Sequence, residues 1–122
     1  MNILLLVAHG SRREESNLEV EALSKEMIKY NSNDFDQIMP AFLEFASPSI
    51  PEAIKKCSEL GALNVTVLPY FLSSGVHIHR DIPSEVKDAS VDFPNLNISI
   101  SNYFGSRDEI AGLLMKTALD IK

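Results

Sequence analysis

Three side chains, far apart in the chain, have lone pairs suited to metals or protons: His9, Glu44 and His77. Each stands where an apolar stretch gives out. His9 follows residues 3–7, Glu44 falls in the last part of residues 37–45, and His77 lies in the loop after residues 65–71. Neutral imidazole together with carboxylate suits borderline divalent metals such as cobalt, nickel, iron and zinc. Ligands drawn from three separate loops leave coordination positions open, the mark of a site that reacts or transfers. An unperturbed imidazole has its pKa near neutrality, so the same residue type is equally suited to accepting protons. Residue type alone leaves both readings open. Structural histidines are more often embedded in a strand or helix, whereas Gly10 follows His9 and Gly75 precedes His77. His79 reads as a solvated or auxiliary donor.

The elements that must position these groups alternate along the chain. Ile3-Leu4-Leu5-Leu6-Val7 is apolar without alternation, as expected for a parallel strand covered on both faces. Residues 14–30 carry Val20, Leu23, Met27 and Tyr30 at helical spacing. Residues 37–45 read as a second strand, and Pro40 places it at an edge. Ser49-Ile50-Pro51-Glu52 has the spacing of a capping box with proline in the first turn. The helix it opens buries Ile50, Ile54, Cys57 and Leu60, and Gly61 stops it. Residues 65–71 form the third strand. Asp81-Ile82-Pro83 opens a short helix by cap and proline, and residues 97–101 alternate as a second edge strand. Ser106 to Glu109 repeats the capping-box spacing, ahead of the stripe Ile110, Leu113, Leu114, Thr117, Ala118 and Ile121.

The order is βαβαβαβα. Short connections and right-handed crossovers make it an α/β, doubly wound, flavodoxin-like sheet of four parallel strands with helices on both faces. Chemistry in such sheets sits beyond the carboxyl ends of the strands, so His9, Glu44 and His77 are expected on one rim.

Composition bounds the rest. The chain of 122 residues is sized for one domain, residues 1–122, burying about two thirds of its extended surface. A net charge of −6 argues against a nucleic-acid partner. No apolar run is long enough for a membrane, and the opening run lacks the flanks of a signal peptide. A single cysteine allows neither an internal disulfide nor a cysteine-based metal site, which points to a cytoplasmic protein. Cys57 reads as a small core residue. Dinucleotide and phosphate-loop fingerprints are absent from the sequence, so NAD and ATP are not indicated.

Read together, Val7-Ala8-His9-Gly10-Ser11-Arg12, Ala41-Phe42-Leu43-Glu44 with Pro48-Ser49-Ile50, and Leu68-Pro69 with Phe71-Leu72, Gly75-Val76-His77 and Asp81-Ile82-Pro83 resemble the short sirohydrochlorin chelatases of the CbiX and SirB type. The resemblance runs through nearly the whole chain, in the right order. It implies a half-domain of the longer chelatases, paired as a homodimer. It also implies insertion of cobalt(II), iron(II) or nickel(II) into sirohydrochlorin on the way to cobalamin or sirohaem. The family's catalytic and metal-binding histidines map onto His9 and His77, and its glutamate maps onto Glu44. The divalent metal is then a substrate, and no tightly bound cofactor is expected.

A flat macrocycle edged by carboxylates needs an apolar wall and polar donors. Phe71, Leu72, Val76 and Ile78 are placed for the wall. Ser11, Arg12, Arg13, Ser73, Ser74 and Arg80 are placed for the carboxylates, with Gly75 in the same loop. A polyanionic substrate and a chain at −6 together require a rim more positive than the molecule as a whole. Two rivals compete. A histidine phosphatase needs an arginine where Ala8 stands. A metal or tetrapyrrole carrier would keep the ligands without turning over.

Overall fold

The computed structural model describes residues 1–121; Lys122 and the side chain of His77 lie outside the described residues. Strand β1 (Asn2–Ala8) is the apolar run, buried at every position from Ile3 onward. Helix α1 (Glu14–Met27) follows and tightens into a 3₁₀ turn over Ile28–Tyr30. Strand β2 (Gln37–Phe42) and helix α2 (Ile50–Glu59) come next, then strand β3 (Asn64–Pro69). One π-helical turn, His77–Asp81, leads into helix α3 (Ile82–Ser90). Strand β4 (Asn97–Ile100), a 3₁₀ turn at Phe104–Ser106 and helix α4 (Glu109–Leu119) complete the chain.

The sheet order is β2-β1-β3-β4 with every pairing parallel. β1 therefore has a neighbour on each side, which explains its unbroken apolar character. Pro40 sits on edge strand β2, where a missing N–H is tolerated. The core lies on one face of the sheet: Ile3, Leu5, Val7, Val65 and Val67 meet Ile50, Ile54 and Cys57 of α2 and Ile82 and Val86 of α3. Each large aliphatic side chain buried there contributes about 1.5–3 kcal/mol. Cys57 is fully buried, and burial pushes its thiol up to about 11, as befits a core residue.

Ser49 caps α2 as its spacing predicts. Its hydroxyl accepts from the Glu52 N–H at 3.2 Å, and the Glu52 carboxylate accepts from the Ser49 N–H at 2.9 Å. The Ser49 N–H, with a smaller contribution from the Ser49 hydroxyl, holds the Glu52 carboxyl below its usual range.

Other expectations are corrected. β2 ends at Phe42 and β3 at Pro69, both short of the sequence reading, because the chain turns out of the sheet into the site loops. Tyr30 is exposed because the helix has already tightened before it. Ser106 does not cap α4: its hydroxyl donates to the Tyr103 carbonyl, and Asp108 occupies the cap position. Asp81 has helical dihedrals and makes no side-chain cap, since a π turn already precedes α3. The stripe on α4 is exposed from Leu113 onward. No helix among the described residues is long and apolar enough to cross a membrane.

Candidate functional site

The register of β1 against β2 brings His9 and Glu44 together. Ala8 is level with Phe42, and the pairing runs two residues beyond the strands: Leu43 N–H donates to the Ala8 carbonyl at 3.1 Å and Glu44 N–H to the His9 carbonyl at 2.9 Å. His9 Nε2 then lies 3.0 Å from Glu44 Oε2, with the side chains 43% and 55% exposed. With the carboxylate as acceptor, the imidazole donates from Nε2. The pair is open enough for an ion or substrate to reach it.

Gly10 makes this approach possible. Its φ is +92°, and a Cβ there would fall 1.8 Å from the Glu44 carbonyl oxygen. Beyond it the loop is pinned: Ser11 N–H donates to Asn17 Oδ1 at 2.9 Å, Asn17 Nδ2 returns a bond to the Ser11 carbonyl at 2.7 Å, and Arg13 N–H donates to Ser11 Oγ at 3.0 Å.

Phe45, which the sequence reading passed over, organises the same corner. Its backbone is left-handed, φ +65°, a costly conformation for an aromatic residue. Its ring stands edge-on to His9 with centroids 6.2 Å apart, and the Arg12 guanidinium lies 4.8 Å from the ring centroid. The one available signal was its position next to Glu44.

Beside Glu44 opens a shallow cleft of about 320 Å³ lined by Leu43, Glu44, Arg80, Asp81, Ser84 and Glu85. Arg80 Nε is 3.4 Å from Asp81 Oδ1. Glu85 was also missed, although it stands four residues after Asp81. Its Oε2 is buried without a hydrogen-bond partner among the described residues, and burial, followed by the charges of Asp81, Glu44 and Asp88, holds its carboxyl above the usual range. The cleft thus carries three carboxylates to one guanidinium, so the expected positive rim is not found there. An acidic recess attracts a cation before it attracts a polyanion. On the other side of Glu44, a recess of about 430 Å³ includes Ser11, Arg12 and Phe45.

The remaining candidates are dispersed. Arg13 is paired with Glu15 at 3.0 Å on the surface. Leu72, Ser73, Ser74, Gly75 and Val76 are exposed on the loop after β3, whereas Phe71 and Ile78 are half-buried and pack against the core. His79 is exposed, and its N–H donates to the Gly75 carbonyl at 3.0 Å. The backbone of residue 77 opens the π turn, but the predicted role of the His77 side chain lies outside the described residues. Among the described residues, no group of three or more His, Cys, Asp or Glu side chains is gathered closely enough to hold a metal.

A parallel doubly wound domain with an imidazole–carboxylate pair beyond the end of β1 defines a class of open-rimmed α/β proteins. Comparison with known proteins narrows the class: the CbiX family model matches residues 3–120, and the chain belongs to the CbiX family. It is 41% identical, over 84% of its length, to 44% of the chloroplastic sirohydrochlorin ferrochelatase of Arabidopsis thaliana. It is 30% identical, over 97% of its length, to 92% of a sirohydrochlorin cobaltochelatase of Sulfurisphaera tokodaii. Among solved structures, the sirohydrochlorin chelatase SirB of Bacillus subtilis subspecies spizizenii in complex with cobalt superposes with a TM-score of 0.88 at 28% identity, over 98% of this chain and 50% of that one. The chain spans about half the length of the first curated relatives it matches.

Proposed function

We propose that the protein is a sirohydrochlorin chelatase, inserting a divalent metal (cobalt, iron or nickel) into the tetrapyrrole for sirohaem- or cobalamin-type cofactors. The observation that carries this reading is the His9–Glu44 pair, 3.0 Å apart on an open rim beside an acidic cleft. Insertion exchanges one M²⁺ for two pyrrole N–H protons, so the site must loosen ligands from an ion and receive protons within short reach. His9 and His77 act as metal ligands and proton acceptors, and Glu44 draws the ion in and orients the His9 ring. Imidazole and carboxylate release the ion more readily than a thiolate cage would.

The macrocycle lies against the exposed apolar side chains Leu72 and Val76. Arg12 and Arg80, with the loop serines and Arg13, meet its carboxylates. Phe71 supports that loop from the core side, and Gly75 lies within it. The chain works as a homodimer in the cytoplasm, and the names of its relatives support the substrate on both sides of the reaction.

The test is anaerobic: protein, sirohydrochlorin and each of cobalt(II), iron(II) and nickel(II) are mixed and the tetrapyrrole spectrum is followed. Insertion faster than the metal alone, turning over many times, is expected. Stoichiometric binding without turnover would instead identify a carrier.

A further inference from the structure

Helix α4 is an apolar rod that, among the described residues, is half-buried only at Ile110 and exposed along the rest of its length. Between Glu109 and Leu119 its only charged side chains are Glu109 and Lys116, yet none of its residues is buried. Leu113, Leu114, Met115 and Leu119 are 51%, 61%, 63% and 78% exposed, and Ile121 just beyond is 86% exposed. A helix apolar around most of its circumference normally lies inside a core. A contiguous patch of this kind on a surface marks an interaction site.

The sheet shows the matching deficit. α2 and α3 cover one face, while on the other α1 packs chiefly against β2 and β1. Leu4 and Leu6 of β1 are level with Thr66 and Leu68 of β3, and Thr66 is level with Ser99 of β4. Leu4 and Leu6 are buried, whereas Thr66 and Leu68 are half-buried and Ser99 is exposed. A cleft of about 620 Å³ separates Leu68 from the foot of α4 at Phe104, Arg107 and Glu109. That foot is fixed. Gly105 N–H donates to the Phe71 carbonyl at 2.8 Å, a Cβ on Gly105 would fall 1.8 Å from the Leu72 carbonyl oxygen, and Arg107 pairs with Glu109 at 2.6 Å.

We propose that α4 is an exchanged arm: in a pair of identical chains, each α4 lies across β3 and β4 of its partner, on the half-face that α1 leaves open. The occupant is a second copy because each copy displays what the other lacks, a helix without a sheet and a sheet without a helix. One two-fold axis satisfies both deficits. Four side chains of α4 and Ile121 just beyond it expose on the order of 600 Å² per copy around the helix, and the part that faces the partner adds to the uncovered sheet residues towards the ~800 Å² each partner gives a standard interface. Charge favours the same surface. A chain at −6 repels its copy over most of its surface, whereas α4 carries one acid, already paired with Arg107, and one lysine. The assignment gives a surface to the homodimer proposed above and is independent of the metal chemistry.

Light scattering on the whole protein is expected to give twice the 13.5 kDa chain mass, and the double variant Leu114→Glu with Leu119→Glu to give the single mass with an unchanged far-ultraviolet spectrum. A second measurement does not depend on that variant. Chains with Leu114→Cys are mixed with tagged chains carrying Ser99→Cys and treated with a flexible bismaleimide; the buried Cys57 stays unlabelled. A covalent product containing one chain of each kind is expected. A wild-type monomer overturns both the pairing and the arm. A dimer that survives the double glutamate variant, or a chain carrying both cysteines that links only within itself, overturns the arm alone. None of these readouts uses metal insertion, so the proposed activity stands or falls separately.

Discussion

His9 and Glu44 are placed by main-chain hydrogen bonds, which makes the site sensitive to single atoms. Gly10→Ala adds a methyl group 1.8 Å from the Glu44 carbonyl oxygen at φ +92°, and the backbone strain alone is expected to cost ~1–3 kcal/mol. A lowered thermal midpoint together with impaired metal insertion checks this; an unchanged midpoint would mean that the close approach is absent in solution. His9→Ala is expected to slow insertion by ~10²-fold or more, the usual reach of a lost proton acceptor. Glu44→Gln, which keeps shape and removes charge, is expected to cost less, as read from the tetrapyrrole spectrum.

Phe45 runs the other way. Phe45→Gly relieves a left-handed aromatic residue and is expected to leave stability level or higher, while insertion falls as His9 and Arg12 lose their ring. Parallel loss of stability and activity would refute a positioning role. Glu85 makes a pH-dependent prediction. Its folded carboxyl sits above the usual range, so the folded state holds the proton longer than the unfolded one. Stability therefore falls as pH rises from about 4.3 through the folded value, and the loss is complete above it. Glu85→Gln removes that penalty and is expected to raise the melting temperature at neutral pH relative to pH 4, where the two proteins converge.

At the scale of elements, two identical-looking signals had opposite outcomes. Ser49 to Glu52 forms its capping box, with both reciprocal bonds made. Ser106 to Glu109 offers the same letters, but the 3₁₀ turn at Phe104–Ser106 claims the Ser106 hydroxyl, and Arg107 claims the Glu109 carboxylate. Local spacing is legible in a sequence; a tertiary competitor for the same atom is not. The same distinction explains the site. His9 and Glu44 were legible because topology alone sends both to one rim, whereas the left-handed Phe45 leaves no trace in residue type. Ser49→Ala is expected to cost ~1 kcal/mol in urea unfolding at neutral pH. Glu52 has a lowered folded value, so its contribution is present above the ordinary glutamate range and vanishes as pH falls through the folded value. The gap between wild type and Ser49→Ala should accordingly narrow in acid.

For the whole molecule, the four parallel strands and the edge places of β2 and β4 were legible, and β1, buried from Ile3 onward, carried that reading, whereas the order β2-β1-β3-β4 came from the structure. Where α4 lies could not be read: an apolar stripe says that a helix must be covered and is silent about by what. The two margins of the sheet also differ in what they permit. Pro40, in the middle of β2, leaves a gap in the outward row of donors, so a foreign strand laid along that margin would find its ladder interrupted at the centre. The opposite margin, β4, spans only four residues. Growth by edge-to-edge stacking into fibres is therefore discouraged at one side by chemistry and at the other by shortness, and the molecule can afford an unusually apolar central strand without becoming a template for aggregation.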